Sequence, residues 1–167
     1  MIPIKLTLEG IYSYQTRQTI DFTELTNAGL FGIFGAVASG KSTILEALCF
    51  ALYGESDRMN VLNRAYNMMN LKSNRMYIEF DFQNFENKEY RVVREFRRNS
   101  NQFDKVLPAG TTFYEKIDDK LSPLDHTDAE KIIGLSCENF KRTIIIPQGK
   151  FKEFIELGGK DRTSMMK

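Results

Sequence analysis

The sequence has few of the residues that mark several common classes of protein. Its 167 residues include one histidine and two cysteines, and no His/Cys cluster has the spacing of a zinc site. Basic and acidic residues number 23 and 22, so the net charge neither favours nor excludes a nucleic-acid partner. No stretch approaches the roughly 18 apolar residues of a membrane span, and the N-terminus lacks the pattern of a secretory signal. These absences indicate a reduced, cytoplasmic protein, and the length favours a single domain.

The most informative positive feature is a phosphate-binding motif. Residues 35–43, GAVASGKST, match the pattern G-x-x-x-x-G-K-[ST]. An apolar stretch over residues 30–34 predicts a buried strand before the motif. Apolar residues at helical spacing predict a helix over residues 44–53 after it. The motif therefore lies where its chemistry requires it, between the end of a strand and the start of a helix.

Each part of this motif has a physical role in holding a polyanion such as a nucleoside triphosphate. Successive N–H groups of the loop form an anion nest, and the helix adds unpaired N–H groups and the positive end of its dipole. Gly35 and Gly40 give the backbone room to curve around phosphate. Lys41 is expected to reach the β- and γ-phosphates, and the Ser42 hydroxyl to bind Mg²⁺. The predicted cofactor-binding set is completed by Ala36, Val37, Ala38, Ser39 and Thr43.

The periodicity of the rest of the chain predicts an α/β fold. Residues 76–83 alternate apolar and polar side chains and, with residues 88–97, predict a hairpin that residues 111–117 extend into an antiparallel meander. Further strands are predicted over residues 2–9, 19–22 and 143–146. Capping patterns predict one short helix from residue 127 to Gly134 and another from Ser136 to residue 142. The predicted fold is a P-loop domain with a mixed sheet and an appended antiparallel β-meander.

One element of a self-sufficient P-loop ATPase is missing from the sequence. An acidic residue after an apolar strand normally helps to hold Mg²⁺, and no run of four apolar residues ends in an acidic residue here. Glu79 and Asp81 lie in an alternating strand, on the side predicted to face solvent. The chain is therefore either a fragment, or the rest of the catalytic machinery comes from another polypeptide.

Three blocks of sequence together resemble one family. They are the opening strands with the turn at residues 10–14, the phosphate loop with the helix that ends at Gly54, and the segment 144–151, IIIPQGKF. These blocks are similar to the N-terminal, ABC-ATPase-like lobe of the SMC-like DNA-repair ATPases, closest to the SbcC-type subunits of bacterial exonucleases. Two positions depart from the family pattern: Ala38 replaces a third glycine, and the arginine that usually accompanies Ser13 is absent.

The resemblance implies a larger assembly and further site residues. Residues 1–167 would form the N-terminal lobe of an ABC-type ATPase head, with a helix leading into a coiled coil from about residue 150. A C-terminal lobe of the same protein would complete the site for ATP and Mg²⁺, and two heads would dimerise, bind DNA and control a partner nuclease. Gln148 matches the family's Q-loop and would contact Mg²⁺ and the attacking water. In place of the absent arginine, Tyr12 or Ser13 would reach the base or the phosphates, and Ser13 is included in the predicted nucleotide-binding set.

Basic residues in the predicted hairpin have two interpretations. Arg94 and Arg98 are the better candidates for contact with a DNA backbone. Arg91 and Arg97 are expected to pair with the acidic residues of the preceding strand.

Two other functions remain open. A self-contained P-loop kinase would need an acidic Mg²⁺ partner and an arginine-bearing lid, and a non-catalytic module would sense nucleotide without hydrolysis. DNA-stimulated ATP hydrolysis by this chain mixed with a C-terminal lobe would separate the three possibilities.

Overall fold

The computed structural model describes residues 1–26, 32–36, 39–55 and 64–143. Within these residues, six strands form an antiparallel sheet in the order β2-β1-β3-β4-β5-β6. The strands are β1 (Ile2–Glu9), β2 (Gln18–Asp21), β3 (Arg75–Gln83), β4 (Glu89–Arg98), β5 (Val106–Ile117) and β6 (Lys120–Pro123). The helices are α1 (Thr23–Thr26), α2 (Lys41–Tyr53), α3 (Arg64–Met68), α4 (Ala129–Ile133) and α5 (Cys137–Thr143).

The alternation along β3 determines which face of the sheet is buried. Met76, Ile78, Phe80 and Phe82 are all 0% exposed, whereas the residues between them are half-buried. Helix α2 belongs to the same apolar core as these side chains. Its Phe50 ring centroid lies 5.5 Å from that of Phe96 on β4. The core therefore lies between α2 and one face of the sheet, as expected for an antiparallel sheet with one face covered.

The opposite face of the sheet carries ion pairs. Arg91 on β4 stands directly across from Asp81 on β3, with Nε 2.6 Å from Oδ1 and Nη2 2.7 Å from Oδ2. The predicted cross-strand pair is therefore confirmed for Arg91. For Arg97 the prediction is wrong, because the register places it opposite another arginine, and it pairs with Glu95 on its own strand instead.

Glycine and capping residues end and begin the helices largely as predicted. Gly54 after α2 and Gly134 after α4 have φ of 69° and 76°, in the left-handed region that favours glycine. Helix α4 begins with Asp128 as its N-cap, one residue later than predicted, and the Asp128 side chain accepts two backbone hydrogen bonds from the first turn. The Ser136 hydroxyl caps α5 as expected.

The structure differs from the sequence-based prediction at two strands. Residues 32–36 have no regular secondary structure, and Phe34 is 92% exposed. The strand predicted over residues 30–34 is thus wrong for its described part, because a short apolar run alone does not distinguish a strand from an irregular segment. Thr143 ends α5 rather than beginning a strand; residues 144–146 lie outside the described residues.

The last hairpin adds a strand that the sequence did not predict. Asp118 and Asp119 have φ of 48° and 61°, which suits the two-residue turn that joins β5 to β6. The α/β class and the antiparallel meander are confirmed, and the sheet of the described residues is antiparallel throughout. None of the helices in this part of the chain is long and apolar enough to cross a membrane.

Candidate nucleotide-binding site

The site is built around the N-terminus of α2. Gly40 is the N-cap, with φ of 90° and ψ of 5°, and as a glycine it provides no side-chain capping hydrogen bond. The first helical hydrogen bond runs from the Ile44 N–H to the Gly40 carbonyl at 3.2 Å. The N–H groups of Lys41, Ser42 and Thr43 therefore have no acceptor within the helix. Because the first turn also has no acidic residue, this end of α2 presents backbone donors and the positive end of a dipole to an anion.

The Lys41 side chain folds over the loop that precedes the helix. Its Nζ lies 2.8 Å from the Gly35 carbonyl oxygen and 2.5 Å from that of Ala36. The Ser39 hydroxyl is 3.2 Å from the same nitrogen, and the Ser39 N–H donates to the Ala36 carbonyl at 3.3 Å. These contacts hold a compact positive charge with three donors beside the first N–H groups of α2.

Tyr14 approaches the loop from the turn after β1. A Cβ atom added to Gly40 would lie 2.9 Å from the Tyr14 hydroxyl oxygen and 3.0 Å from its Cε2. The left-handed φ and this contact are two separate reasons for a glycine at position 40. Burial raises the pKa of Tyr14 above its ordinary value, so the phenol is neutral at physiological pH.

The predicted site residues lie in different environments. Ser42 is exposed in the first turn of α2, whereas the Thr43 side chain is buried. Ser13 is exposed at the tip of its turn, and its neighbour Tyr14 is the residue that contacts the loop. Sequence reasoning missed Tyr14, although its place next to Ser13 offered a signal. Three predicted residues lie outside the described part of the chain and stay predictions: Val37, Ala38 and Gln148.

Arg94 occupies the other end of α2. Its Nε donates to the Ala51 carbonyl at 2.7 Å and its Nη2 to the Leu52 carbonyl at 2.9 Å. Its Nη1 lies 3.2 Å from the Thr111 hydroxyl. Burial lowers the pKa of Arg94 to about 10, and the group remains charged at neutral pH. The guanidinium therefore caps a helix C-terminus, and the prediction that it contacts DNA is wrong.

Arg98 is also used within the fold. It is 9% exposed and donates to the carbonyls of Ser73 and Asn70 at 3.1 and 3.2 Å. A third hydrogen bond goes to the Phe103 carbonyl, and the guanidinium stacks on the Phe103 ring. The prediction of a DNA contact is therefore wrong for Arg98 as well, because its donors bind backbone carbonyls.

The packed sheet, the glycine-containing loop and the helix that follows it define the class of this chain: a P-loop nucleotide-binding domain. The family described as AAA domain matches residues 5–166. The chain belongs to this AAA domain family.

The curated relatives are more specific. The chain is 39% identical over 174 residues to the SbcC subunit of the nuclease SbcCD from Clostridium acetobutylicum, and 38% identical to the corresponding protein from Bacillus subtilis. Both alignments cover 99% of this chain, but 14% and 15% of the relatives, so the chain spans about one seventh of their length. These matches confirm the resemblance to the SbcC-type repair ATPases.

A solved structure supports the fold. The recombination mediator protein RecF-ATP of the RecFOR pathway aligns with a TM-score of 0.50 and 17% identity. The alignment covers 92% of this chain and 36% of that one. This similarity shows a shared fold.

Proposed function

We propose that this chain is the ATP-binding N-terminal lobe of a DNA-repair ATPase of the SbcC type. The observation that carries the proposal is the combination, at one point of the fold, of the uncapped N-terminus of α2 with the ammonium group of Lys41. Backbone donors, a helix dipole and a fixed cation together form a site for a polyanion. The similarity to SbcC-type sequences supports ATP as this polyanion.

The residues present fit ATP and Mg²⁺. The N–H groups at the start of α2 and the Lys41 ammonium would hold the phosphates, and the exposed Ser42 hydroxyl would bind the metal ion. Mg²⁺ would supply charge neutralisation at the phosphates. Glycine at position 40 allows the Tyr14 side chain to lie close to the backbone of the loop, since a Cβ atom there would collide with Tyr14. Outside these contacts, Ser13 would reach the nucleotide, and Gln148 would contact the metal ion and the attacking water.

Hydrolysis would require partners that this chain does not contain. Its relatives are named as the SbcC component of a nuclease, SbcCD, and it spans about one seventh of their length. We therefore assign it a C-terminal lobe of the same protein, a second head in a homodimer, DNA, and a nuclease subunit resembling SbcD. In this arrangement residues from about 150 onward begin the coiled coil between the lobes, and the protein works in the cytoplasm.

The first test is nucleotide binding by the chain itself. We expect saturable, weak binding of ATP in the presence of Mg²⁺, with negligible turnover, and we expect Lys41→Ala to abolish binding. Lys131→Ala is the matched control, because that lysine is 70% exposed on α4. Isothermal titration calorimetry measures each affinity. Equal binding by the two variants would contradict the assigned site.

The second test concerns the missing catalytic part. Adding the C-terminal lobe of the Bacillus subtilis relative is expected to produce ATP hydrolysis that double-stranded DNA stimulates. Robust hydrolysis by the chain alone would contradict the proposal and favour a self-contained enzyme. Binding that never leads to hydrolysis, with or without the added lobe, would favour a nucleotide-sensing module.

A further inference from the structure

We propose that Tyr14 is a positioning residue for the phosphate loop, a role that rests on the proposed nucleotide binding. Its ring edge lies against Gly40, the N-cap of α2, where a Cβ atom would be 2.9 Å from its hydroxyl oxygen. Gly40 has the conformational freedom of a glycine with positive φ. The Tyr14 ring lies against the place that the Cβ atom of any other residue at position 40 would take, and it restricts the backbone of Gly40 from that side.

The turn that carries Tyr14 is closed on itself and bonded to a second segment. The Tyr14 N–H donates to the Ile11 carbonyl at 2.8 Å, and the Ile11 N–H donates back to the Tyr14 carbonyl at 3.1 Å. Between them, the Tyr12 N–H donates to the Met68 carbonyl at 2.7 Å. The Asn70 side chain donates to the Tyr12 carbonyl at 2.5 Å. The backbone that carries the Tyr14 ring is therefore fixed by hydrogen bonds at Ile11, Tyr12 and Tyr14.

The second segment is in turn fixed to the sheet. Arg98 on β4 donates to the Asn70 carbonyl at 3.2 Å and to the Ser73 carbonyl at 3.1 Å. This arginine is 9% exposed and shares the buried side of β4 with Val92. A continuous set of hydrogen bonds and packed groups thus runs from β4 through residues 68–73 to Tyr14 and Gly40. The loop is supported by the sheet as well as by its own helix.

This placement predicts an effect on phosphate binding that is independent of the base. Tyr14 contacts the N-cap of α2, where the proposed site presents its N–H groups to phosphate. The free energy needed to fix the backbone of one residue corresponds to about a tenfold change in affinity. We therefore expect Tyr14→Ala to weaken the binding of ATP and of inorganic tripolyphosphate by the same factor, about tenfold. A residue that stacked on the base would affect ATP alone.

The experiment compares four forms of the full chain by calorimetric titration with Mg·ATP and with Mg·tripolyphosphate. They are the unaltered chain, Tyr14→Ala, Tyr14→Phe and Tyr114→Ala. Tyr14→Phe keeps the ring edge and is expected to bind within about twofold of the unaltered chain. Tyr114→Ala makes the same chemical change at a half-buried tyrosine of β5 and is expected to leave both affinities unchanged. Circular dichroism and a melting curve establish that each variant is folded.

The outcomes separate this proposal from the one on which it rests. Failure of the unaltered chain to bind either ligand would contradict the nucleotide site itself and the role of Tyr14 with it. Normal binding by the unaltered chain and by Tyr14→Ala would overturn only the positioning role. A loss restricted to ATP, or a loss in Tyr14→Phe as large as in Tyr14→Ala, would also overturn it. If Tyr14→Ala does not fold, Tyr14→Leu takes its place, because leucine retains apolar bulk and lacks the ring edge.

Discussion

Replacing Arg94 by leucine tests how strongly a buried guanidinium holds the C-terminus of α2. The last four carbonyls of a helix have no partner within it. Here Gly54 N–H binds the Phe50 carbonyl, and Arg94 binds those of Ala51 and Leu52. Both of these residues are 0% exposed, so water does not replace the lost donors readily.

The size of the effect follows from two opposing contributions. Hydrogen bonds to a charged group contribute about 1.5–3 kcal/mol each, and Arg94 donates three at 2.7, 2.9 and 3.2 Å. About 6 kcal/mol is therefore lost in Arg94→Leu. Burial lowers the pKa of Arg94 from 12.5 to about 10, which corresponds to a cost of roughly 3 kcal/mol for holding the charge there. Leucine recovers this cost, so the expected net loss of unfolding free energy is about 3 kcal/mol.

Urea denaturation followed by far-UV circular dichroism measures this loss, since the chain has no tryptophan. A decrease of about 3 kcal/mol also predicts a melting temperature lower by roughly 6–12 °C. The matched control is Arg97→Leu on the same strand, because that side chain is 69% exposed and has an ion pair with Glu95; it should lose less than about 1 kcal/mol. Arg94→Lys should be intermediate, because one ammonium does not reproduce the fork of donors. Equal losses in the two leucine variants would refute the reasoning.

Two further predictions concern other parts of the sheet. Arg98→Leu is expected to destabilise residues 99–105 and to accelerate their amide hydrogen exchange, since the Phe103 carbonyl loses its donor and the Phe103 ring loses the guanidinium that stacks on it; unchanged exchange there would contradict the assigned role. Burial, followed by a hydrogen bond to Glu79, raises the pKa of Tyr77 to about 12. Because this pKa is raised from 10 in the folded state, the contribution of Tyr77 to the free energy of unfolding is complete below about pH 10 and is lost as the pH rises towards 12. Tyr77→Phe should therefore show a smaller alkaline loss of unfolding free energy, and an unchanged pH profile would contradict this.

The placement of the two arginines was already contained in the strand pattern. Along β4, Tyr90, Val92 and Phe96 have the same parity, and the residues between Tyr90 and Phe96 with the other parity are two charged residues and one valine. Residues of the first parity face the core. Arg94 and Arg98 have that parity. The expectation of DNA contact gave more weight to their charge than to their position. An arginine is stable on a buried face only where acceptors are present, and the helix C-terminus and loop carbonyls that accept here come from distant parts of the chain.

The phosphate loop could be predicted for the opposite reason. A glycine with positive φ, a lysine after it and a helix after that are local features, so nine consecutive residues indicate the whole arrangement. The contact between Tyr14 and Gly40 depends on a turn 26 positions earlier in the chain, whose position is set by hydrogen bonds to residues 68–70. No local pattern reports such a contact. The strand predicted over residues 30–34 was wrong for a related reason. Whether a short apolar run forms a strand depends on pairing with other parts of the chain, which the run itself does not specify.

Helix α2 is thus held at both ends by residues that depend on β4. Arg94 on this strand binds the C-terminal carbonyls directly, while Arg98, four positions further, holds the segment against which the Tyr14 turn is bonded. A loop fixed only by its own glycine would leave the orientation of the helix dipole to the packing of apolar side chains, which are not directional. Hydrogen bonds are directional, so contacts at both termini orient α2 about the sheet and aim its N–H groups at one point. This explains why a strand without any residue in the proposed nucleotide site carries two arginines on its core-facing side.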